Sequence, residues 1–128
     1  MSMSPLSQKL RVKDGYRIAL VNPAPGSREA LEPLPDSVSI SDTLNDKFDL
    51  VWHFASWRSE LQRDLEKVRE SVKPQGLIWL SYPKGTSGVP TDLKREVMVE
   101  VAESAGLQPV AQIAVDEVWS AMRFKPVE

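Results

Sequence analysis

Three stretches of this chain are apolar at almost every position, and that pattern leaves few folds open. They are residues 16–21 (YRIALV), 48–55 (FDLVWHFA) and 77–82 (LIWLSY). A strand with one face in water alternates apolar with polar residues, whereas a strand buried on both faces does not. Runs of this kind belong to the interior of a parallel sheet covered by helices on each side. The stretch between the second and third runs supplies such a helix. Leu61, Leu65, Val68 and Val72 recur at helical spacing and make one apolar stripe. Four acid-to-base pairs at i,i+3 (Glu60–Arg63, Asp64–Lys67, Glu66–Arg69, Glu70–Lys73) read as its solvated, mutually paired face. Pro74 and Gly76 are expected to end it.

The remaining elements follow from punctuation. Ser4 before Pro5 marks a helix start running to about residue 10. Asp14-Gly15 is a turn. Ser27 is a candidate cap for a two-turn helix over 28–34, stopped by Pro33 and Pro35. Val38-Ser39-Ile40-Ser41 is a short strand ending at Asp42. After the loop 83–90, Thr91 or Asp92 is expected to cap a helix with core face Leu93, Val97, Val101 and Ala105, closed by Gly106. Residues 108–115 and 118–124 read as an antiparallel pair joined at Asp116-Glu117. One link is irregular. Parallel strands need a crossover of about a dozen residues or more, and nothing between Ile40 and Phe48 forms a helix. Either the short strand runs antiparallel or the connection is stretched.

The expected fold is α/β and three-layered: a mainly parallel, Rossmann-like sheet with a C-terminal antiparallel hairpin. The chain has 128 residues, which suits one domain over 1–128, with 1–15 as an N-terminal extension. The net charge of -2 is evenly spread, eight basic and nine acidic side chains in each half. That gives no footprint for nucleic acid. No apolar run is long enough to span a membrane, and no signal peptide is visible. The absence of cysteine removes disulfides and thiolate metal sites and fits a cytoplasmic address. His53 is the lone histidine, without a second histidine or cysteine to build a metal site. It reads as a satisfied core or surface histidine.

FDLVW, an amphipathic helix, then Lys73-Pro74-Gln75-Gly76 and LIWLSYP together resemble the second half of a class I, S-adenosylmethionine-dependent methyltransferase. Ala105-Gly106-Leu107 before a terminal strand pair is similar too. The likeness covers roughly residues 16–124. More specifically, WLSYPK (79–84) and VDEVWSAMRFKP (115–126) resemble a family of small bacterial proteins of unknown function with a truncated methyltransferase-like fold. The resemblance implies a cofactor site on a glycine-rich turn after the first strand. Here that segment is Asn22-Pro23-Ala24-Pro25-Gly26-Ser27. Two prolines remove amide donors and only one glycine remains. A third strand and its helix are also missing. Asp42 cuts the other way: it ends the second strand, where nucleotide-binding folds place a ribose-binding acid, although an aspartate there also serves as a turn cap.

Ligands of open α/β sheets sit outside the carboxyl ends of the strands. That rule selects Asn22, Gly26, Ser27 and Asp42 as cofactor-edge candidates. Arg58, Tyr82, Lys84, Asp116 and Trp119 are the ligand-binding candidates, with Asp116 and Trp119 expected to approach Lys84 and Tyr82. Arg123 is a candidate partner for a carboxylate across the hairpin. The expected function is a non-catalytic methyltransferase-like binding or interaction module, without an intact S-adenosylmethionine site, cofactor or metal. The alternative is a small-ligand or nucleotide-binding protein or enzyme with its site at the carboxyl ends of the strands. The partner is an unknown protein or small molecule, and self-association through an exposed sheet edge is a further reading.

Overall fold

The computed structural model describes residues 3–127. Helix α1 (Pro5–Lys9) is followed by β1 (Arg17–Val21), α2 (Ser27–Ala30), β2 (Ser39–Ser41) and β3 (Phe48–Phe54). Then come α3 (Arg58–Glu70), β4 (Val72–Pro83), α4 (Arg95–Ser104), β5 (Leu107–Ala114) and β6 (Trp119–Pro126). The six strands form one sheet in the order β2-β1-β3-β4-β6-β5. The first four are parallel, and β6 runs antiparallel to both β4 and β5. The architecture is the expected α/β sheet with a C-terminal antiparallel hairpin.

The apolar runs lie where double burial requires them, in β1, β3 and β4. Val51 points to one face with Leu80 and Ile78, under α3 and α4. Trp52 and Phe54 point to the other, with Trp79, Leu10, Val12 and Leu31. The tryptophans carry polar handles, and each finds a partner. Trp52 Nε1 donates to Ser81 Oγ at 2.6 Å, and Trp79 Nε1 donates to the Leu10 carbonyl at 3.0 Å. The second bond fastens the segment after α1 onto the sheet. Ser4 caps α1 by accepting from the Ser7 amide.

The irregular link is settled: β2 is parallel to β1, and the connection is stretched. Residues 42–47 cross without a helix, and Leu44 plugs the α3/α4 side of the core. Other local expectations need correction. Helix α3 stops at Glu70, and Val72 belongs to β4, paired with Phe48. Pro74-Gln75-Gly76 does not end the helix; it forms a bulge in a long strand, where the register shifts between Phe48 and Leu50. A Cβ on Gly76 would lie 2.5 Å from Val72 Cγ1 and 2.9 Å from the Lys73 carbonyl, so only glycine fits. Helix α2 is a single turn with Gly26 at its cap, and the Ser27 hydroxyl donates to the Ala24 carbonyl instead. Lys94, not Thr91 or Asp92, is the cap position of α4. Thr91 Oγ1 donates to the Ser56 carbonyl, and Asp92 accepts from the Arg58 amide, so both tie the loop to the start of α3. The buried face of α4 is Met98, Val101 and Ala102, with Val97 and Ala105 at its margin.

Candidate functional site

The carboxyl ends of β1, β3 and β4 share an edge with the β5–β6 turn, because Pro83 pairs with Trp119 across the antiparallel ladder. Two groups of residues occupy this edge, one on each face of the sheet.

The first is a polar knot under α3. His53 is fully buried and its Nε2 lies 2.8 Å from Asp64 Oδ2. The same oxygen accepts from Asn22 Nδ2 at 2.9 Å. Arg63 forks onto both Asp64 oxygens at 2.9 and 3.0 Å. Asn22 has a φ of 54°, a left-handed conformation that asparagine tolerates. The turn after β1 is thus held from its first residue by a carboxylate of α3. The Arg63 guanidinium holds the Asp64 carboxyl well below the usual carboxylate range, against the opposing effect of burial, with His53 and Asn22 helping. Burial lowers the His53 pKa, and Asp64 only partly offsets it. Above about pH 6.5 that leaves His53 uncharged, and because the Asp64 carboxylate can only accept, Nε2 is the donor. Its Nδ1 is buried with no partner among the described residues. The expectation of a satisfied histidine is half met.

Sequence spacing assigned Asp64 to Lys67, and that was wrong. None of the four i,i+3 pairs forms an ion pair among the described residues. Glu60 caps the start of its own helix, accepting from the amides of Ser56 and Trp57 at 2.9 and 3.0 Å. Lys73 pairs with Asp49. An aspartate in the helix that follows the buried strand, eleven residues after the only histidine, is the signal the sequence offers.

The second group lies on the opposite face. Gly26, Ser27, Asp116 and Trp119 line one pocket with Trp52 and Phe54. Its volume is about 90 Å3. Aromatic rings fill the space around it: Trp52 and Phe54 lie 4.5 Å apart, and Phe54 meets Trp119 edge-on at 5.3 Å. Asp116 acts as a turn residue, accepting from the amides of Val118 and Trp119 at 2.8 and 2.7 Å. Gly26 has a φ of 82°, which a side chain would strain.

The other candidates are scattered. Tyr82 lies on the α4 side, where its hydroxyl accepts from Gln112, so it does not meet Trp119. The Lys84 amide donates to the Val118 carbonyl at 2.7 Å, but Lys84 forms no ion pair with Asp116 among the described residues. Arg58 reaches Glu100 at 3.3 Å. Asp42 is exposed, and the turn after β2 is capped by Ser41, whose Oγ accepts from the Thr43 amide. Arg123 finds no carboxylate among the described residues; its guanidinium sits over Trp79. No group of three or more metal-ligating side chains occurs among the described residues.

Residues 26–127 match a family described as "Protein of unknown function (DUF3052)". The chain belongs to this family. No curated protein matches it. Several solved structures share the fold. The DhpI–SAH complex superposes with a TM-score of 0.67 at 13% identity, covering 95% of this chain and 82% of that one. The N-methyltransferase NodS from Bradyrhizobium japonicum WM9 gives 0.61 at 15% identity, over 96% and 94%. The CcbJ methyltransferase from Streptomyces caelestis gives 0.60 at 8% identity, over 96% and 87%. At such identities the likeness concerns the fold. This DUF3052 chain is a methyltransferase-like sheet whose turn after β1 carries one glycine and two prolines. No helix among the described residues is long and apolar enough to cross a membrane.

Proposed function

We propose that this protein is a non-catalytic binding module on a methyltransferase scaffold that does not hold the nucleoside cofactor. The observation that carries this reading is the small pocket at the β1 turn, about 90 Å3 in volume. Sites for ligands of drug size occupy about 300–1,000 Å3. Widening this one would move Trp119 or Phe54 and the proline-bearing turn. The turn is further held by the Asn22–Asp64 bond. A glycine-rich turn offers amides to a ligand, whereas Pro23 and Pro25 have none. Titration calorimetry with S-adenosylmethionine, its demethylated product and common nucleotides should show no binding. Micromolar affinity for any of these overturns the reading.

One observation favours a second reading, a small ligand at this edge. Gly26, Ser27, Asp116 and Trp119 come from distant parts of the chain and line one pocket. A thermal-shift screen with small anions tests it, since a ligand of the native state raises the melting temperature.

A further inference from the structure

The opposite end of the sheet is open. A cavity of about 690 Å3 lies where β3 and β4 begin and β6 ends. Lys47, Arg69, Lys73, Arg123 and Lys125 line it with a single carboxylate, Glu70. Two of these cations are committed. Lys47 Nζ donates to the Glu70 carbonyl at the end of α3, and Lys73 pairs with Asp49 at 3.3 Å. Arg69, Arg123 and Lys125 meet no carboxylate among the described residues.

Arg123 carries the most information. Its guanidinium lies 5.9 Å from the centre of the Trp79 ring, in cross-strand register with that residue. Its Nε is buried and has no acceptor. Burial, with Arg11 nearby, pulls its pKa below the usual value. A half-buried cation with an idle donor is stabilised by an anion. Val72, Leu77, Ile78 and Pro126 give the groove apolar walls. Its volume falls in the range of small-molecule sites, which combine apolar lining with a few polar groups that fix orientation.

We propose that this groove binds a small organic anion, with an apolar body along the walls and a phosphate or carboxylate head against Arg123. Arg69 and Lys125 also line the groove and add positive charge to it. Arginine suits both head groups because its planar fork matches their paired oxygens. The site is at the amino ends of the parallel strands, away from the edge where the fold's neighbours would hold a nucleoside. It stands whether or not the carboxyl edge takes a ligand.

The test uses the full chain and 8-anilinonaphthalene-1-sulfonate, a probe with an aromatic body and an anionic head. Its fluorescence should rise saturably. N-phenyl-1-naphthylamine, the uncharged counterpart, should bind about tenfold or more weaker. Arg123→Gln should weaken the anionic probe by about tenfold or more. Arg69→Gln with Lys125→Gln should weaken it by a smaller factor while the urea midpoint holds, because both side chains are exposed. That double variant decides the matter if Arg123→Gln fails to fold. Hexyl phosphate or hexanoate should displace the probe, and the stronger competitor identifies the head group. Equal binding of the uncharged probe, unchanged affinity in the variants, or displacement by neither competitor overturns the proposal.

Discussion

Acidifying the protein should destabilise it through His53. His53 is the only histidine and there is no cysteine, so few other groups change charge between pH 5.5 and 7.5. In the unfolded chain its pKa is about 6.5. In the native state burial lowers it, with Asp64 opposing. Between those two pKa values the unfolded chain binds a proton that the native state does not. Stability is therefore full above about pH 6.5 and falls as the pH drops toward the native pKa. The loss at pH 5.5 is at most RT ln(1 + 10), about 1.4 kcal/mol, the limit in which the native His53 takes up no proton. With a urea slope of about 1.5 kcal/mol per molar, the midpoint falls by up to about 0.9 M. Tryptophan fluorescence at pH 7.5, 6.5 and 5.5 reads this directly, since Trp52 and Trp79 are buried. His53→Gln should flatten the dependence. The same midpoint at pH 5.5 and 7.5 would mean that Asp64 cancels the effect of burial, and an increase in acid would mean that Asp64 outweighs it and His53 is charged; either result refutes the reasoning. An equal fall in His53→Gln would place the effect elsewhere.

Other substitutions read the remaining contacts. Asp64→Ala strands the buried His53 donor and should cost about 2–3 kcal/mol by urea melt; Asp64→Asn, which keeps one acceptor oxygen, should cost less. Gly76→Ala forces a methyl against Val72 and the Lys73 carbonyl, and should cost about 1–3 kcal/mol in the same assay. Trp79→Phe removes the bond to the Leu10 carbonyl. Trypsin should then cut faster at Lys9, Arg11 or Lys13 than in the parent; an unchanged rate would show that Leu10 and Val12 hold that segment by packing alone.

The central sheet was legible because burial writes itself into composition. FDLVWHFA and LIWLSY have no alternation, and β3 and β4 are covered on both faces. The parallel direction of β2 was not legible, since nothing in residues 42–47 shows that Leu44 replaces a crossover helix. Helix ends were misjudged where a residue's preference was overridden by tertiary partners. Val72 continues the α3 stripe by spacing, yet its backbone pairs with Phe48. Asp92 suits a cap, yet it accepts from Arg58. The site suffered most from the same cause. The i,i+3 rule put Asp64 on a solvated face, but a buried histidine is a more demanding partner than an exposed lysine. The convergence of Gly26, Ser27, Asp116 and Trp119 was partly foreseeable from the strand-end rule. That Tyr82 faces away was not, because the rule places residues along an edge and says nothing of which face they take.

The bond from Trp79 to the Leu10 carbonyl joins residues 69 apart in sequence. On a ribosome this sets an order of events. The segment carrying Leu10 emerges early, but the indole that fastens it is added much later, when β4 is made. Until then Leu10 and Val12 lack part of the face they pack on. The growing chain carries those apolar side chains only partly covered through the synthesis of β1, β2, β3 and α3. The segment carrying Leu10 is thus exposed to chaperones and proteases until residue 79 has left the exit tunnel.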